Sequence, residues 1–124
     1  IPKIAKAFIN KEREIELGNL DVHREYNSIE FVCEVYFKLM ISESVSEIFN
    51  IASGKTHSLN DIINKFIEKS KHKIEIKINS NFVRKDEIKT LKGDISKLNK
   101  AIEINSSNSI DNTIVSFLRN SQKK

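Results

Sequence analysis

Arg24 and Arg84 are the residues of this chain best suited to chemistry with an anion, and both stand beside turn-forming residues. Gly18-Asn19-Leu20-Asp21 leads into His23-Arg24-Glu25-Tyr26, and Phe82-Val83-Arg84-Lys85-Asp86-Glu87 precedes Leu91-Lys92-Gly93-Asp94. A fixed guanidinium binds phosphate oxygens through parallel N–H donors, so two of them suit a diphosphate that joins a base to a sugar. Glu87 follows Arg84 closely enough to serve the same ligand, as the acceptor for a ribose diol, if the segment is a turn or a helix start. The same spacing equally fits two arginines in surface ion pairs, and the residues alone leave both readings open.

Other chemistries find little support. His23, His57 and His72 are scattered and lack the spacing of a metal site. Gly54-Lys55-Thr56 has the end of a phosphate loop without its beginning, because Phe49 stands where the first glycine belongs. No nucleophile has a base beside it, so no catalytic residue and no metal ligand is assigned. Lys and Arg number 21 against 17 Asp and Glu, a net charge of +4, and the two signs are interleaved. The one dense basic stretch, Lys69, Lys71, His72 and Lys73, runs straight into the strand-like IEIKI, which argues against a nucleic-acid surface. A single cysteine, Cys33 in FVCEVYF, reads as a small apolar residue in a reducing, cytoplasmic setting. No apolar run approaches the roughly 20 residues of a membrane span, so no membrane partner is expected.

These residues need elements to hold them, and 124 residues with an apolar fraction of 39% make one small α/β domain. The spacing of Ile1, Ile4, Ala5, Phe8 and Ile9 behind Pro2 predicts a helix over 2–11. EIEL at 14–17 alternates as a strand. From Ile29, the positions Val32, Cys33, Val35, Tyr36, Leu39 and Met40 predict a long amphipathic helix with Ser28 as N-cap; it should be the best-packed helix, with Ile29, Val32 and Tyr36 in the core. EIFNIAS at 47–53 reads as a buried strand, Ser58 and Asp61 as a capping box for the next helix, and IEIKI at 74–78 as a further strand. Asp94 and Ser109 are expected to cap two final helices. Alternating strands and helices imply a parallel sheet. With only about three strands, its edges and one face would stay bare unless another part of a larger protein completed it. The chain starts in mid-pattern without an initiator Met, as an excised segment would.

Three runs together resemble a known family. Leu17-Gly18-Asn19-Leu20-Asp21 with Arg24-Glu25-Tyr26 resembles the motif G-N-L-D-x-x-R-D-[FWY]. Phe49-Asn50-Ile51-Ala52-Ser53-Gly54-Lys55 resembles [YF]-N-[IV]-x-S-G-K. Val83-Arg84-Lys85-Asp86-Glu87-Ile88, then Leu91, Gly93-Asp94 and Ser96-Lys97, resembles R-P-x-E-[VI]-x-x-L-x-G-D-x-[ST]-K. All three belong to extended short-chain dehydrogenases/reductases, the NAD-dependent epimerase/dehydratase family, in the branch of GDP-mannose 4,6-dehydratase and GDP-4-keto-6-deoxymannose reductase. The resemblance implies the small C-terminal substrate-binding lobe of such an enzyme, over 1–118 with a polar tail at 119–124. It implies Lys3, Arg24 and Arg84 at a nucleotide diphosphate, Glu87 at the ribose, and Asn19 and Leu20 near the base, with Asn50, Gly93 and Asp94 holding loops. Glu25 and Lys85 depart from the motif's Asp and Pro.

The family's cofactor half is missing from these residues: there is no G-x-x-G-x-x-G loop and no Y-x-x-x-K pair. The resemblance thus implies that this chain binds no NAD or NADP and is inactive alone. Its partners would be a GDP-sugar and the missing N-terminal Rossmann half of a homo-oligomeric, NAD(P)-dependent parent. Two alternatives remain at this stage: the equivalent lobe of an epimerase or dehydratase for a dTDP-, UDP- or CDP-sugar, and a stand-alone α/β module for an acidic partner.

Overall fold

The computed structural model describes residues 1–44, 46–105 and 108–120. The first helix, α1 (Pro2–Ile9), starts with proline where an N–H would lack a partner, and it buries Ile4, Ala5, Ala7 and Phe8. It ends sooner than the spacing predicts, because Lys11 turns to a positive φ of 52° and sends the chain into β1 (Glu14–Leu17). The last strand, β4 (Glu75–Ile78), lies parallel to β1 in the register Glu14↔Glu75 through Leu17↔Ile78. Ile15 and Leu17 face inward while Glu14 and Glu16 face out, as the period of two requires.

The helix between those strands, α3 (Leu59–Ser70), opens with the capping box expected of Ser58 and Asp61. The Ser58 hydroxyl accepts from the Asp61 amide at 3.0 Å, and the Asp61 carboxylate accepts from the Ser58 amide at 2.9 Å. The terminal helix, α5 (Ile110–Asn120), opens after Ser109, whose hydroxyl accepts from the Asn112 amide at 3.5 Å. It takes in the first two residues of the expected polar tail, whose remainder, 121–124, lies outside the described residues. Helices α1, α3 and α5 close over the β1/β4 pair around Phe8, Ile62, Ile63, Phe66 and Ile114. The rings of Phe8 and Phe66 stack at 5.2 Å.

Five expectations are corrected. A single three-stranded sheet does not form: a second, antiparallel pair joins β2 (His23–Arg24) to β3 (His57–Ser58), too short for any sequence period to reveal. Residues 47–53 make no ladder with any described residue, because a strand exists only through a hydrogen-bonded neighbour; Ile48 is 87% exposed. The long helix α2 (Ile29–Met40) begins at its Ser28 cap but is not the best packed, since it buries only Phe31 and Val35. Ile29 and Tyr36, expected in the core, are exposed, because the elements present cover just one side of this helix. Asp94 caps one residue early: its carboxylate accepts from the Ser96 amide at 2.8 Å, while Ile95 holds the N-cap position of α4 (Ser96–Ala101).

Candidate functional site

Strand β1 delivers the chain to Gly18, and there the segment 80–90 leans on it. A Cβ at Gly18 would lie 2.5 Å from the carbonyl oxygen of Phe82, so only glycine lets the two backbones meet. The Asn79 amide donates to the Leu17 carbonyl at 2.8 Å and continues the strand contact into a short 3₁₀ turn, Ser80–Phe82. Lys3 joins this end from α1, donating to the Glu16 carbonyl at 2.6 Å with its ammonium 4.7 Å from the centre of the Phe82 ring. The Asn19 side chain accepts from the Asp21 amide at 2.9 Å, which shapes the turn, and the Leu20 carbonyl accepts from Asn60 at 3.2 Å in the first turn of α3.

The other end of the same segment lies along β2. His23 bridges Thr90 in parallel fashion: its amide donates to the Lys89 carbonyl at 2.7 Å, and its carbonyl accepts from Leu91 at 3.0 Å. Arg24 uses Nη1 on the carbonyls of His23 at 2.8 Å and Lys89 at 3.4 Å. Its Nη2 faces the Glu87 carboxylate at 3.6 Å. Segment 82–90 therefore carries Phe82 against Gly18 and Lys3, carries Glu87 against Arg24, and holds Arg84 between them. The Arg84 side chain is exposed and makes no ion pair among the described residues.

Of the six residues singled out by sequence, the structure joins Lys3, Arg24 and Glu87 to one short segment and sets Arg84 on it. Asn19 and Leu20 form the adjoining turn. The Glu87 carboxylate, expected opposite a ribose, here faces Arg24. A partly exposed pair of this kind contributes no more than about 1 kcal/mol, so a diphosphate can compete for the guanidinium. Asn50 holds a loop as expected, donating to the Asp94 carbonyl at 3.3 Å.

Sequence reasoning noticed Glu25 only as a departure from a motif and missed its role. Its carboxylate accepts from the Ser53 amide at 2.6 Å, the Ser53 hydroxyl at 3.1 Å, the Gly54 amide at 3.2 Å and the Gly93 amide at 2.7 Å. Burial pushes its pKa up, but the hydrogen bonds from Gly93, Ser53 and Gly54 outweigh burial and leave it below the ordinary glutamate range. A lowered acid stabilises the fold fully above the unfolded-state pKa, and that contribution fades as the pH falls through the folded value. The usable signal was the set of motifs, an acid followed later in the chain by a Ser-Gly and a Gly-Asp turn that need an acceptor.

Among the described residues, five α-helices open after Ile1, Ser28, Ser58, Ile95 and Ser109, and none follows a strand through a glycine-rich turn. The described residues therefore show no turn of the glycine-rich kind that receives a dinucleotide's pyrophosphate. They also contain no group of three His, Cys, Asp or Glu able to hold a metal, and no helix is long and apolar enough to cross a membrane.

Two parallel strands under three helices, with a second strand pair presenting an arginine, make up the small lobe of an extended short-chain dehydrogenase/reductase. Solved structures share it. A protein of Burkholderia cenocepacia J2315 assigned as an epimerase superposes with a TM-score of 0.94 at 28% identity, over 99% of this chain and 41% of that one. The RMD protein of Pseudomonas aeruginosa, solved with NADPH, shares the fold with a TM-score of 0.83 at 19% identity, over 96% of this chain and 42% of that one. Residues 1–116 match the family of GDP-mannose 4,6 dehydratase, and the chain belongs to that family. It is 40% identical over 98 residues to the GDP-6-deoxy-D-talose 4-dehydrogenase of Aggregatibacter actinomycetemcomitans, spanning 79% of this chain and 33% of that enzyme. The chain thus spans about a third of the length of the curated relatives it matches.

Proposed function

We propose that this chain is the substrate-binding lobe of an NAD(P)-dependent enzyme that modifies a GDP-sugar, either a dehydratase or a reductase. Lys3, Arg24 and Arg84 grip the diphosphate, Glu87 accepts from the ribose, and the turn at Asn19 and Leu20 lies along the base. The observation that carries this reading is the segment 82–90, which leans on Gly18 and Lys3 at one end and on β2 and Arg24 at the other and carries Arg84 between them. Family membership and the 40% identical relative, itself a GDP-sugar dehydrogenase, support the GDP-sugar over an unrelated acidic partner. NAD or NADP and the reacting groups belong to the Rossmann half of the parent, which packs over the bare outer side of α2.

Titration of GDP-mannose into the chain, followed by amide NMR, tests the assignment. With the cofactor half absent, affinity in the millimolar range is expected, about −4 kcal/mol. Shifts should cluster at Asn19, Arg24, Arg84 and Glu87, and shifts spread evenly over the chain would overturn the site. Arg24→Lys and Arg84→Lys keep the charge but lose the bidentate fork, so each should weaken binding by about 1.5–3 kcal/mol while the fold persists. Wild-type affinity in both variants would remove the diphosphate clamp. UDP in place of GDP reads the base: tighter binding of UDP than of GDP would place the chain with enzymes of UDP-sugars.

A further inference from the structure

Arg24 and Glu25 are neighbours at the end of β2, and successive side chains of an extended segment leave on opposite faces. Arg24 reaches Glu87 and Lys89, whereas Glu25 reaches back between the Ser53-Gly54 and Gly93 turns. Those turns continue the two flanks of β2. Ser53-Gly54 leads into β3, which pairs Arg24 with His57 along one edge. Gly93 follows Thr90 and Leu91, which pair with His23 along the other edge. One carboxylate thus ties both flanks together beyond the last backbone pair, a task that short ladders of this kind cannot perform alone.

The turns are close enough for a single group to bridge them. A Cβ on Gly93 would sit 2.5 Å from the Cβ of Ala52, so the Gly93 backbone lies against the Ala52 methyl and leaves no room for a side chain. Four donors converge on the two Glu25 oxygens, three on Oε2 and one on Oε1. Only an ionised carboxylate offers acceptors alone on both sides. A glutamine in its place must turn an NH₂ group toward an N–H donor at one side or the other.

Resting on the reading of Arg24 given above, we propose that Glu25 is the positioning residue of the diphosphate site: by holding the 53–54 and 93 turns to the end of β2, it fixes the Glu87–Lys89 segment against which the Arg24 guanidinium is aimed. Glu25 itself touches no ligand. Its loss lets that flank slide and leaves Arg24 charged but misdirected.

The test compares the wild-type chain with Glu25→Gln and Glu25→Asp in GDP titrations, alongside amide hydrogen exchange. Glu25→Gln should weaken GDP at least fivefold and speed exchange at Gly54 and Gly93 at least tenfold, with α3 amides unchanged. Glu25→Asp restores a carboxylate and should recover most of the affinity, which a side chain needed only for bulk would not do. Wild-type GDP affinity in Glu25→Gln, or no recovery in Glu25→Asp, overturns the positioning role while Arg24 keeps its own. No response of the wild-type chain to GDP removes the diphosphate reading and this role with it. Should Glu25→Gln fail to fold, Ser53→Ala removes one of the four donors and leaves the carboxylate; a smaller weakening in the same direction supports the role, and unchanged affinity rejects it.

Discussion

Two apolar clusters share this chain and differ in how far they are closed. Under β1 and β4, helices α1, α3 and α5 enclose twelve buried residues, with Ile62, Phe66 and Ile114 wholly inaccessible. Around α2, among the described residues, only Phe31, Val35 and Leu98 are buried, and Phe49, Ile51, Ile102 and Ile104 lean on them half-covered. Helix α2 is the more apolar of the two, with nine apolar residues in twelve against five in α3, so the difference lies in how many sides of each helix have a neighbour. Helix α3 has one apolar stripe and buries it, whereas α2 carries a second stripe, Ile29, Cys33, Tyr36, Phe37 and Met40, that faces solvent. The closed cluster is a core in its own right. The open one has the form of half an interface, and the residues proposed to bind the substrate are hung from the closed side.

The sharpest way to break this contrast is Phe66→Ala. A fully buried ring stacked on Phe8 leaves a cavity walled by helices from three directions, so the loss should be about 3–5 kcal/mol, read by chemical denaturation. For a small domain that is a large part of the total stability. Leu98→Ala deletes an equally inaccessible side chain from the open cluster, where Phe49 and Ile51 can move into the space. Its cost should fall at the low end for such a change, about 2 kcal/mol. Equal losses in the two variants would mean that the α2 cluster is as closed as the other.

What could be read from the sequence follows from the range of each interaction. The capping box at Ser58 and Asp61 lies within one helical turn, and the alternation of EIEL and IEIKI is local, so those elements were legible. Strands β2 and β3 are two residues each and show no period; they exist because His23 and Arg24 meet Ser58 and His57 from far along the chain. Helix α2 displayed the apolar positions of a helix correctly, but the pattern cannot say which side finds a neighbour within this chain. Arg24 and Arg84 could be singled out because the resembling motifs contain them, whereas the role of Glu25 could not be read, because it depends on turns 28 and 68 positions away.

The smallest expected effect tests the open side directly. Ile29 and Met40 are each 75% exposed on the outer stripe of α2, in contact with water along most of their surface. Replacing both by lysine removes little that is buried, and exposed substitutions away from caps and buried networks stay within about 0.5 kcal/mol each. Lys at position 29 also adds a cation to the first turn, where the helix dipole disfavours it, and Lys at position 40 adds one to the last turn, where it is favoured, so the two dipole effects oppose each other. The denaturation midpoint of the double variant should therefore match wild type. Self-association in sedimentation should fall, since the stripe is the largest continuous apolar surface that α2 presents. A fall in stability of 2 kcal/mol or more would show instead that Ile29 and Met40 are already covered in the free chain, and the outer side of α2 would then belong to the lobe's own core and leave no face for the proposed cofactor half.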